Sequence, residues 1–145
     1  MRKTLIPCAL AAGLTALAAP AAAMGVKIQN ATPGALTVTM TDSKCVVPSA
    51  FGPVTLKSGA ATQVVVEVLS SGSCTVYHSR LSLKLDLAAP GGFTDTVTVG
   101  AQKPFSGGNL EVPARTTGPH GLLAQGSSDW TNATFVVVCP TCKPD

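Results

Sequence analysis

The chain ends in "FVVVCPTCKPD", which places Cys139 and Cys142 with two residues between them after a run of strand-forming valines. Sulfurs at this spacing serve three chemistries. A redox pair needs its first thiolate stabilised, commonly by the N-terminus of a following helix. Here only Lys143-Pro144-Asp145 follows, and no aromatic precedes Cys139, so exchange chemistry is not the expected use. A tetrahedral zinc site takes one Cys-x-x-Cys as half its ligands and a second close pair as the other half. Cys45 and Cys74 are 29 residues apart, so the metal alternative, Cys45, Cys74, Cys139 and Cys142 with His78 as a further soft-metal ligand, is only partly matched. The third use is structural. An even set of four cysteines in an oxidising compartment implies two disulfides, among three possible connectivities.

Other chemistry-bearing residues are sparse. His78 in "TVYHSR" and His120 in "TTGPHGLL" are the only histidines, and neither has an evident acid–base partner. There is no G-x-S-x-G elbow and no H-E-x-x-H, and the carboxylates are scattered singly. No catalytic residues, no cofactor and no enzymatic activity are expected. The Thr-x-Thr runs at Thr37–Thr41 and Thr94–Thr98 suit the wet face of a strand. One Trp, one Tyr and four Phe give little material for a sugar-stacking platform. Asn30-Ala31-Thr32 and Asn132-Ala133-Thr134 match the N-glycosylation pattern, which matters only in a eukaryotic secretory pathway. Leu122-Leu123 is read as an apolar plug beneath a polar loop.

The first residues set the compartment. Arg2 and Lys3 precede an apolar stretch from Thr4 to Ala19, and Ala21-Ala22-Ala23 follows. This is the layout of a secretory signal peptide over residues 1–23, with cleavage after Ala23 and loss of Cys8. The apolar stretch is shorter than the roughly 20 residues a membrane helix requires. Taking 23 residues from 145 leaves a mature chain of 122, Met24 to Asp145, enough for one domain with its own core. Removing Arg2 and Lys3 from ten basic side chains leaves eight against seven acidic, a net charge of +1. No basic cluster remains, and nucleic acid binding depends on one. No membrane span is expected after cleavage.

The elements that would position these residues are strands. "RLSLKLDL" alternates Leu81, Leu83, Leu85 and Leu87 with Ser82, Lys84 and Asp86. "ALTVTMT" sets Leu36, Val38 and Met40 against three threonines, and "FTDTVTV" sets Phe93, Val97 and Val99 against Thr94, Thr96 and Thr98. Period-2 alternation marks antiparallel strands with one packed face. "TQVVVEVL" and "TFVVVC" are apolar on both faces and read as central or covered strands. Turn signals stand at Thr32-Pro33-Gly34, Ser58-Gly59, Ser70–Ser73 and Ala89–Gly92. Residues 100–129 are rich in Gly and Pro and read as a long irregular loop with one short strand at "GNLEVP". The fold class is all-β: an antiparallel β-sandwich of seven or eight short strands, immunoglobulin-like in outline, with a small β-barrel as the alternative.

Alternating these strands up and down places Cys45, Cys74, Cys139 and Cys142 at one end of the sandwich. The stretch "NATFVVV" resembles the last strand of subunits of chaperone-assembled pili, but a cysteine pair follows it where those subunits end in an aromatic. The functional expectation is a secreted or periplasmic, non-enzymatic module that contacts a protein or envelope partner, with binding residues in the 100–129 loop. A thiol-redox or metal protein is one alternative. A subunit that self-associates by strand donation is the other.

Overall fold

The computed structural model describes residues 23–104 and 108–142. Apart from Ala23, the expected signal segment lies outside the described residues. Ten strands follow in order: β1 (Ala23–Asn30), β2 (Ala35–Lys44), β3 (Val46–Val47), β4 (Val54–Leu56), β5 (Ala61–Val68), β6 (Ser79–Ala88), β7 (Thr94–Lys103), β8 (Arg115–Thr117), β9 (Leu123–Ser128) and β10 (Asn132–Val138). Three of them, β3, β4 and β8, have only two or three residues, so seven longer strands carry the fold. They form two sheets, β3-β5-β1-β10-β9-β8 and β4-β2-β6-β7, which face one another without closing into a barrel. The sandwich reading therefore holds over the barrel.

Alternation put the core where hydrophobic burial requires it. Leu81, Leu83, Leu85 and Leu87 of β6, with Leu36 and Val38 of β2, oppose Met24, Val26 and Ile28 of β1 and Phe135 and Val137 of β10. Period-2 side chains leave Thr37, Thr39, Lys84 and Asp86 on the wet face of the smaller sheet. There Lys84 pairs with Asp86 at 3.0 Å and Arg80 with Asp42 at 2.8 Å. "TFVVV" is a central strand between β1 and β9, as its two apolar faces implied. "TQVVVEVL" is not covered in the same way, because Val65 points outward from β5 and stays exposed.

Two features depart from an all-antiparallel scheme read in sequence order. The first and last strands, β1 and β10, pair in parallel, with Ile28 opposite Phe135. In addition, residues 100–129 carry three strand segments in place of one long irregular loop. β7 runs on to Lys103, β8 pairs with β9, and "GNLEVP" supplies a single bridge between Gln102 and Glu111. Their Gly and Pro residues mask the pattern, yet Gly126 is where a strand must lie close to its neighbours. A Cβ there would stand 2.9 Å from Phe135 Cε1 and would overlap the Pro113 carbonyl. Leu122 and Leu123 are buried, as a plug should be.

The extra strand changes where the C-terminal cysteines lie. Counting β7 up, β8 down and β9 up makes β10 run down, parallel to β1. Cys45, at the end of β2, and Cys139, at the end of β10, therefore occupy opposite ends of the sandwich. The expected convergence of all four sulfurs fails by one strand of parity. The end carrying Cys45 is called upper below.

Candidate functional site

Two disulfides form. Cys45–Cys74 has its Cα atoms 5.5 Å apart, and Cys139–Cys142 closes a local ring with Cα atoms 5.3 Å apart. Both spans lie inside the range a disulfide bridges. His78 stands at the upper end, its Nδ1 2.9 Å from Gln102 Nε2, near Cys45–Cys74 and remote from Cys139–Cys142. The five residues of the metal alternative are thus divided between the two ends. Among the described residues no three His, Cys, Asp or Glu side chains group as metal ligands.

The upper end is built around Cys45. This residue adopts φ 54°, the left-handed region that turns the chain sharply out of β2 and across to β3 in the other sheet. Its carbonyl accepts Leu69 N–H at 2.9 Å and Ser79 Oγ at 3.1 Å, and the Cys74 bridge fixes a short 3₁₀ turn (Gly72–Thr75) over it. Val76 and Tyr77 emerge from this turn into solvent, and Lys44 Nζ sits 3.5 Å above the Tyr77 ring centroid. On the other sheet the β9–β10 turn presents Trp130. The Asp129 carboxylate braces that turn by accepting Asn132 N–H at 2.6 Å and Thr131 N–H at 3.0 Å. Those two N–H groups hold the Asp129 carboxyl below its ordinary value.

Five large apolar side chains are exposed among the described residues: Val76 (68%), Trp130 (62%), Val65 (55%), Tyr77 (47%) and Val47 (46%). All five fall in the upper half. Val47 pairs with Glu67 near the end of β5, Val65 lies beside Gly25 at the start of β1, and Trp130 precedes Asn132, which also pairs with Gly25. Single exposed apolar residues are ordinary, whereas a set confined to one end is a feature. None of them except Trp130 comes from the neighbourhood of the 100–129 segment, where contact residues were expected. Sequence alternation could have marked Val65, an apolar residue at an outward position. Nothing in sequence spacing brings Trp130 to the end that holds Tyr77.

The lower end holds a different arrangement. Asp95 sits at an inward position of β7 and is 5% exposed. Its carboxylate accepts Leu122 N–H (2.8 Å), Thr96 N–H (2.8 Å) and His120 N–H (3.1 Å), tying the β8–β9 turn of one sheet to the start of β7 in the other. Burial pushes this carboxyl up, but the three N–H groups and the nearby His120 outweigh that and hold it below its ordinary value. A cleft of about 400 Å³ opens beside it, lined in part by Thr37, Asp86, Thr94, Thr96 and Pro119. The Cys139–Cys142 turn packs on the same β8–β9 turn, with Thr141 Oγ1 donating to the His120 carbonyl at 3.2 Å. Asp95 was missed as a notable residue. Its signal was legible in "FTDTVTV", where period-2 assigns it to the packed face.

No protein-family model matches this chain, and no curated protein matches it.

Proposed function

We propose that the protein is an exported, non-enzymatic interaction module that binds a protein partner of the cell envelope or the exterior through its upper rim. One observation carries the reading: among the described residues the five exposed large apolar side chains all lie in the upper half, the half organised by Cys45–Cys74. Exposed Trp and Tyr on braced turns are the anchors that protein interfaces use, because they bury much area for little lost side-chain freedom. Export is supported by the secretory pattern of the first residues and by two disulfides, which persist in oxidising compartments. Among the described residues no helix is long and apolar enough to cross a membrane.

The test is site-specific photocrosslinking in the producing cell. Probes at Trp130, Tyr77 and Val76 should each give one shared adduct, and probes at Lys57 and Pro119, at the lower end, should give none. Equal labelling from both ends, or no adduct from the upper positions, would remove the reading.

Self-association by strand addition is a second reading with its own support. Pro48 has no N–H and follows β3 directly, so β5 has β3 as outer neighbour only at Glu67 and Val68. Among the described residues no strand covers its edge along Gln63–Val65, and open edges recruit partners. Sedimentation that stays monomeric across the micromolar range would dismiss it.

A further inference from the structure

We infer that the Cys139–Cys142 disulfide is a thiol-exchange site, in which Cys142 Sγ takes an incoming thiolate and Cys139 Sγ is the leaving group. Polarity is built into the ring. The Cys142 N–H is shared between Cys139 Sγ, 3.2 Å away, and the Cys139 carbonyl at 3.3 Å, and Thr141 Oγ1 lies 3.7 Å from the same sulfur. Both groups are within reach of the sulfur that would carry charge once the bond opens. Hydrogen bonds to a thiolate stabilise it as a leaving group, and the leaving thiol's acidity governs which sulfur is attacked. Accessibility runs the same way, since Cys139 is packed into the core at 9% exposure and Cys142 is more open.

The step balances without further reagents. A thiolate RS⁻ forms a bond to Cys142 Sγ, the Cys142–Cys139 bond breaks, and its electron pair remains on Cys139 Sγ. The products are a mixed disulfide at Cys142 and a Cys139 thiolate. That thiolate either expels RS⁻ to restore the ring or is protonated, after which a second RS⁻ releases RSSR. Thr141 positions the step: its single hydroxyl proton goes to the His120 carbonyl in the closed ring and turns from it to Cys139 Sγ, 3.7 Å away, as charge forms there. The chemical class of the reactant is an accessible thiolate, carried by a small thiol or by a dithiol oxidoreductase. The chemistry does not require a following helix, because the Cys142 N–H supplies a local donor.

The wild-type protein provides its own control in Cys45–Cys74. Folded protein is exposed to reduced glutathione, or separately to a reduced thioredoxin-type protein, quenched in acid at intervals, alkylated and mapped by peptide mass. Cys139–Cys142 should open roughly tenfold faster than Cys45–Cys74, with the glutathione adduct on Cys142. Opening by glutathione assigns a small-thiol reactant. Opening by the dithiol protein alone assigns a protein reactant. Equal rates at the two disulfides with both probes, or an adduct on Cys139, overturns the proposal. Thr141→Val should slow opening several-fold and Thr141→Ser should restore it, whereas a purely packing role would leave the rate unchanged.

Discussion

Asn30 is the residue on which the β1–β2 turn depends. Wholly buried, it uses its entire amide: Nδ2 donates to the Gly34 and Leu56 carbonyls at 2.9 and 3.0 Å, and Oδ1 accepts Thr32 N–H at 3.0 Å and Thr32 Oγ1 at 2.7 Å. Because Leu56 belongs to the other sheet, the amide also ties the two layers together. Asn30→Ala would strand several buried polar groups and should cost about 3 kcal/mol, read from the urea midpoint. The same burial disposes of Asn30 as a glycan acceptor in the folded protein, whereas Asn132 is exposed at the β10 entry. Asp95→Asn should lose about 2–3 kcal/mol at neutral pH, since charge-assisted bonds become neutral ones. The sign of the pH effect follows from its lowered folded pKa. The stabilisation from Asp95 is fully present above the unfolded carboxyl value of about 4 and is lost as pH falls through the lower folded value. Denaturant titrations from pH 7 to pH 2 should show that acid limb flattened in the variant. A sequence names these residues but not their partners. Asn30 reads as a turn asparagine, and its bond to Leu56 spans 26 residues.

Among the elements, the disulfides differ by the loops they close. Cys45–Cys74 spans a separation of 29 residues and Cys139–Cys142 a separation of 3. Loop-closure entropy makes the first worth about 3.5 kcal/mol and the second about 2 kcal/mol. Replacing Cys45 and Cys74 with Ser should therefore lower the unfolding midpoint more than replacing Cys139 and Cys142, in parallel thermal melts. β10 carries the largest fully buried side chain, Phe135, wedged against Gly126 of β9. Phe135→Ala should cost about 3–5 kcal/mol, measured as a shift of the urea midpoint with unchanged slope. β2, β6 and β7 were legible because each buries one face only and alternates accordingly. β8 and β9 were not, since β8 is three polar residues with no packed face and Gly126, Ser127 and Ser128 erase the alternation in β9.

At the scale of the whole molecule, the two ends of the sandwich have separate characters. The upper end exposes apolar anchors on a disulfide-braced rim, and the lower end gathers Asp95, the β8–β9 turn and the Cys139–Cys142 ring. Trp130 should emit like a free indole in the native state and change little on unfolding, whereas far-UV circular dichroism should report one cooperative transition. A partner on the upper rim should shift that emission to shorter wavelength. The sequence by itself determined the all-β class and the packed faces of β2, β6 and β7, because period-2 burial and composition act locally along the chain. Only the tertiary structure decided the disulfide pairing, the parallel meeting of β1 and β10, and the division of the cysteines between two ends. Those depend on strand direction, and one strand hidden in a Gly-rich segment is enough to reverse it.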